Sequence, residues 1–81
     1  MTEVVLYGKA GCHLCEEARA EIESVRARRP FELREVDVSL DPVLHARYGE
    51  RIPVVVVAGT EAFEFHVEAA ELERLLDTVS A

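Results

Sequence analysis

Hydrophobic residues fall into successive blocks along the chain, and their spacing changes from block to block. Residues 3–7, Glu-Val-Val-Leu-Tyr, are β-branched and apolar, the character of a short buried strand. Gly8-Lys9-Ala10-Gly11 follows as a loop. From Cys12 the pattern turns helical: Leu14, Ala18, Ile22 and Val25 recur at spacings of four, four and three and mark one apolar face. Glu16 and Glu17 near its start and Arg26, Arg28 and Arg29 near its end suit the helix dipole, and Pro30 closes it. Phe31 to Val38 alternates apolar and polar residues and predicts a second strand. Asp41-Pro42 is an N-cap followed by proline in the first turn, opening a short helix that Gly49 stops. Ile52 to Val57 predicts a third strand, apolar enough to be central. Ala58-Gly59-Thr60-Glu61 turns the chain, and Ala62 to His66 returns as an antiparallel fourth strand. A last helix carries Leu72, Leu75, Leu76 and Val79 on one face.

The predicted order is β-α-β-α-β-β-α. The first βαβ unit calls for a parallel pair with a right-handed crossover, and the later hairpin is antiparallel. The expectation is an α/β fold with a mixed four-stranded sheet flanked by helices. No internal repeat or linker interrupts it.

At 81 residues the chain is read as a single domain, 1–81. A composition 49% hydrophobic, with three prolines and four glycines, is that of a folded globule. The net charge of -7 repels phosphate backbones, which excludes nucleic acid as an expected partner. The longest apolar run, Ile52 to Ala58, is too short for a bilayer and contains a proline, so no membrane partner is expected. Met-Thr-Glu-Val-Val places no basic region ahead of an apolar one, so no signal peptide is expected. These features predict a cytoplasmic protein, monomeric by default. In a reducing cytosol, paired cysteines are more often catalytic or metal-binding than structural.

Cys12-His13-Leu14-Cys15 is the motif with chemistry in it. Cys-x-x-Cys beside a βαβ pattern is a redox signature. Cys12 stands where a strand and loop enter a helix, so free N–H groups and the positive dipole end face its sulfur. Both favour the thiolate, the attacking species. Cys12 is therefore expected to be the exposed nucleophile. Cys15, one turn on beside the apolar stripe, is expected to be more buried and to resolve the mixed disulfide. Protonated Lys9 or His13 would stabilise the Cys12 thiolate, and Glu16 and Glu17 would oppose it.

The stretch Leu6-Tyr-Gly-Lys-Ala-Gly-Cys-His-Leu-Cys-Glu-Glu-Ala18, followed by Arg51-Ile-Pro-Val-Val55, resembles the glutaredoxin-like branch of the thioredoxin superfamily. The resemblance implies a thioredoxin fold and thiol–disulfide oxidoreductase activity. It implies a cis Pro53 opposite the cysteine pair, with the backbone of Ile52 free to pair with an extended substrate. On the residues alone, Pro53 also suits a trans proline opening a strand. By the same resemblance Lys9 corresponds to a lysine that holds a glutathione carboxylate. Two departures weigh against a glutathione site. His13 and Leu14 replace the usual proline and tyrosine between the cysteines, and His66-Val67 replaces the glycine pair that opens the last helix, with Glu68 adding negative charge. Expected partners are protein or small-molecule disulfides, with glutathione or a thioredoxin-reductase type of protein as electron donor. The chemistry needs no cofactor.

Two rival readings stand beside this one. Cys12, Cys15 and His13 with His45 or His66 could ligate zinc, although structural sites want four ligands, commonly as two pairs. A shared iron–sulfur cluster is a related possibility. The other rival is a non-enzymatic binding module that keeps the fold, which the presence of both cysteines disfavours. His45 and His66 otherwise read as surface or helix-start residues and Tyr7 as core. Glu35 and Asp37 alternate on a strand without matching a proton acceptor, and Glu68, Glu71 and Glu73 read as a solvated helix face.

Overall fold

A computed structural model describes residues 2–80. The elements are β1 (Glu3–Gly8), α1 (His13–Arg28), β2 (Glu32–Asp37), a single 3-10 turn (Val38–Leu40), α2 (Pro42–Tyr48), β3 (Val54–Val57), β4 (Thr60–Glu64) and α3 (Ala69–Ser80). The order β-α-β-α-β-β-α is as expected. The four strands form one sheet in the order β2-β1-β3-β4. β1 pairs parallel with β2, and β3 pairs antiparallel with both β1 and β4.

Each face of the sheet has its own apolar cluster. α1 and α3 cover one face, where Val4, Leu6, Val55 and Val57 of the strands meet Ala18, Ile22, Val25, Leu72 and Leu76 of the helices. α2 covers part of the other, with Tyr48 packed on Val38 and Val54. There the Tyr7 and Tyr48 rings stack with centroids 4.4 Å apart. α1 and α3 are joined at their rims by ion pairs of Arg28 with Glu73 and Arg29 with Asp77.

Several boundaries differ from the pattern, each for a physical reason. β2 is shorter than Phe31 to Val38: Phe31 is buried in the core ahead of the strand, and Val38 leaves it to begin the 3-10 turn. β3 starts at Val54, because Pro53 has no N–H to give the ladder. β4 is shifted two residues towards the N-terminus of its expected span. The hairpin closes at Val57 opposite Thr60, leaving only Ala58 and Gly59 in the turn, at φ 50 and 86. Two successive positive φ values are the signature of the type I′ turn that matches strand twist. Alanine is uncommon there, which hid the tight turn. On α3, Leu72 and Leu76 are buried, whereas Leu75 is half-buried and Val79 is 44% exposed, since these two line a cavity beside the Ala58-Gly59 hairpin instead of the core. Glu73 and Glu71 are half-buried and paired with Arg28 and Arg74, not freely solvated.

An alanine held in the left-handed region costs roughly 1 kcal/mol relative to residues at home there. Ala58→Asn, which makes an Asn-Gly turn, is expected to stabilise the fold by about 0.5–1 kcal/mol. Thermal denaturation should show this as a rise of about 4 °C in Tm.

Candidate active site

Cys12 is the N-cap of α1, with extended backbone (φ -92, ψ 112), and its sulfur accepts the Cys15 N–H at 3.2 Å. One of the free amides at the helix start is thus spent on the sulfur itself. The two sulfurs are disulfide-bonded, with Cα atoms 5.2 Å apart. Cys12 is half-buried and Cys15 is 7% exposed, the asymmetry the spacing predicts.

Cys15 fits because of Gly8, the last residue of β1. A Cβ on Gly8 would lie 2.9 Å from the Cys15 sulfur and 3.2 Å from its Cβ. Gly8 is therefore not loop, as the pattern suggested, but a buried strand residue that makes room for the second cysteine. In the parallel register its partner is Asp37. A cavity of about 310 Å³ opens beside Cys15, between α1 and the edge strand β2, lined among others by Gly8, Lys9, Arg19, Glu35 and Asp37. Arg19 donates to Glu35 at 2.6 Å across it.

Asp37 is the one carboxylate here with a clear shift. Hydrogen bonds from the Ser39 hydroxyl and then the Ser39 N–H hold it below its ordinary value of 3.8, against a small cost of desolvation. The Ala10 N–H and the Lys9 charge act in the same direction. Lys9 and the loop before Cys12 therefore sit in the field of Asp37, a residue set aside on sequence grounds because its place beside Gly8 exists only once β1 and β2 pair.

On the other side of the pair, Pro53 is buried and its peptide bond with Ile52 is cis, as the resemblance implies. Ile52 is half-buried against the Tyr48 cluster, outside the strand ladder. The Pro53 carbonyl accepts the Phe65 N–H at 2.8 Å. His13 is exposed and its ring lies 3.7 Å from the Glu17 carboxylate. His45 and His66 are exposed. Among the described residues, no three His, Cys, Asp or Glu side chains come together as a metal site.

Gly8→Ala is expected to destabilise the oxidised protein by about 1–3 kcal/mol, because the disulfide stops the Cys15 sulfur from moving away. The reduced protein, whose Cys15 is free to rotate, should lose less. Titration against a redox buffer should then show a less stable disulfide, by about 30 mV for each 1.4 kcal/mol of difference. For Asp37, a lowered pKa means stability that is full above 3.8 and is lost as pH falls through the folded-state value. Asp37→Asn should therefore melt below the parent protein at pH 7, with the gap closing as pH drops below 3.8.

A family model described as a glutaredoxin-like domain (DUF836) matches residues 3–77. The uncharacterized protein Rv0508 of Mycobacterium tuberculosis is 28% identical over 75 residues, covering 86% of this chain and 77% of that one. Among solved structures, protein XcR50 from X. campestris superposes with a TM-score of 0.77 at 27% identity, over 93% of this chain and 96% of that chain. A mutant thioredoxin from Halobacterium salinarum superposes with a TM-score of 0.70 at 18% identity, over 95% of this chain and 73% of that chain. That likeness carries the fold. With the family match running over nearly its whole length, the chain belongs to the glutaredoxin-like domain family and has the thioredoxin fold.

Proposed function

We propose that this protein is a cytoplasmic thiol–disulfide oxidoreductase that reduces disulfides through Cys12 and Cys15. The observation that carries the reading is the placement of the pair. One sulfur caps the N-terminus of α1 and accepts an amide, and the other is buried one turn on, within bonding reach. Amide and dipole stabilise negative charge on Cys12, which makes it the nucleophile and the better leaving group.

The steps balance as two electrons and two protons. The Cys12 thiolate attacks a substrate R–S–S–R′, forming Cys12–S–S–R and expelling R′S⁻. Cys15, after losing its proton, attacks the Cys12 sulfur, closing the Cys12–Cys15 disulfide and expelling RS⁻. The two protons of the protein dithiol end on the two product thiols. Ile52, oriented by the cis bond to Pro53, supplies the backbone edge for the substrate chain, Lys9 its countercharge near the loop, and His13 an exposed flank. Glutathione or a thioredoxin-reductase type of protein returns the dithiol to its reduced form. No cofactor takes part, and a monomer suffices.

Equilibration in glutathione redox buffers, read by intact mass, tests this. The expected result is a reversible two-electron couple in the parent protein. Cys15→Ser should accumulate a stable adduct of one glutathione or one substrate thiol on Cys12, and Cys12→Ser should turn over no disulfide. A pair that stays reduced in every buffer, or a protein purified with stoichiometric zinc, would replace this reading with the metal site.

A further inference from the structure

One segment of the fold takes an unfavourable conformation. β4 ends in a three-residue turn in which the His66 N–H donates to the Glu64 carbonyl at 2.8 Å, with Phe65 at φ 68. A γ-turn with positive φ at its centre is rare and strained, and a bulky aromatic is ill suited to it. Burial does not explain it, because Phe65 remains 40% exposed. The Phe65 N–H is fixed to the Pro53 carbonyl, so the strained residue is tied directly to the proline of the redox site. Strain that the surrounding structure holds without a packing return is a mark of a binding element.

The topology shows where that ring stands. Tyr7, Val54 and Glu64 are register partners, so the end of β1, the start of β3 and the end of β4 lie at one end of the sheet, with the cysteine loop. Of the four large apolar side chains exposed among the described residues, Leu40 and Val43 follow the end of β2 and Phe65 follows the end of β4. Three of the four thus follow strands that end beside the cysteine loop, Leu40 and Val43 at one edge of the sheet and Phe65 at the other. A groove of about 300 Å³ runs between α1 and the 65–67 link, with Leu14, Phe65 and Val67 apolar along it, His66 in the link, and Glu17 and Glu21 on the helix side. Glu17 lies within ion-pair reach of His13 and shares the groove with His66, and Glu21 pairs with no cation among the described residues.

We infer that this groove selects the substrate: an extended peptide segment carrying the disulfide, with an apolar side chain seated between Leu14 and Phe65 and a neighbouring lysine or arginine facing Glu17 and Glu21. This rests on the dithiol reading above and narrows it to protein disulfides flanked by an apolar–cationic pair. The apolar contact supplies affinity, and the two carboxylates reject acidic neighbours by like charge. The chemistry is unchanged: one peptide disulfide is reduced to two thiols as the protein dithiol is oxidised.

The test uses acetylated, amidated peptides dimerised through a single cysteine, with a Leu-Lys or Leu-Glu pair scanned through the first three positions on either side of it. Hydroxyethyl disulfide is the small reference. Oxidation of the reduced protein is followed by quenching and intact mass. In at least one register the Lys peptide should react about tenfold faster than its Glu counterpart at low salt, a difference that about 0.5 M salt should shrink. Glu17→Gln with Glu21→Gln should bring that preference to about twofold or less. Phe65→Asn places a residue at ease at positive φ, so Tm should stay within about 4 °C of the parent value. It should nonetheless lower the peptide-to-hydroxyethyl rate ratio about fivefold. Equal Lys and Glu rates in every register, a preference that survives the double variant, or an unchanged ratio in Phe65→Asn overturns the groove while leaving the dithiol reading intact. If hydroxyethyl disulfide fails to oxidise the protein as well, the dithiol reading itself falls and takes the groove with it.

Discussion

The close approach of Cys15 to Gly8, where a side chain would lie 2.9 Å from the sulfur, governs how α1 meets the sheet. A helix that follows a buried strand through a four-residue loop has several ways to pack back on it. Here the first turn of α1 lies directly over the last residue of β1, at a distance no side chain allows. That approach buries Cys15, leaves Cys12 at the rim as the helix cap, and brings the sulfur of one to the other. The apolar stripe of α1, Ala18, Ile22 and Val25, then continues the packing begun at Cys15 and is completed by Leu72 and Leu76 from α3. The buried Cys15 and the core thus share one helix, the cysteine standing one turn ahead of the stripe that packs on the sheet.

The same strand pairing that brings Gly8 beside Asp37 also sets the electrostatics of the loop. In a chain of net charge -7, an N-terminal helix cap could be swamped by carboxylates. Instead Asp37 is occupied by Ser39 and by the loop itself, and Glu35 is taken up by Arg19. On the 65–67 side Glu17 and Glu21 stand beside Phe65, while the exposed Glu16 of the first turn lines the β2-side cavity. On the β2 side Asp37 and Glu35 are thus taken up by partners, whereas Glu16 pairs with no cation among the described residues, so open negative charge stands on both flanks of α1.

Element order and type were legible because each block of sequence obeys a single period: β-branched runs for β1 and β3, and spacings of three and four for α1 and α3. Cys12 and Cys15 were legible for a related reason, since helix geometry alone assigns one to the rim and one to the interior. What escaped were features fixed by contacts distant in sequence. Gly8 reads as loop until α1 is laid across it. Asp37 reads as one polar tooth of an alternating strand until it pairs with Gly8. The Ala58-Gly59 turn and the Phe65 turn both rest on positive φ at residues that do not advertise it, and both displaced the edges of β4 from where the apolar pattern put them. The cis bond before Pro53 came from family resemblance, since an isolated proline at the head of a strand is compatible with either isomer.

The stacked aromatic pair on the α2 face has an optical consequence. The chain holds two tyrosines and no tryptophan, and those two tyrosines, Tyr7 and Tyr48, are the stacked ones. Ultraviolet emission excited in the tyrosine band thus originates at a single spot, on the strand that leads into the cysteine loop and the short helix behind it. Light from this protein reports on that seam alone, free of the averaging that scattered chromophores impose, so the molecule carries its own local spectroscopic label.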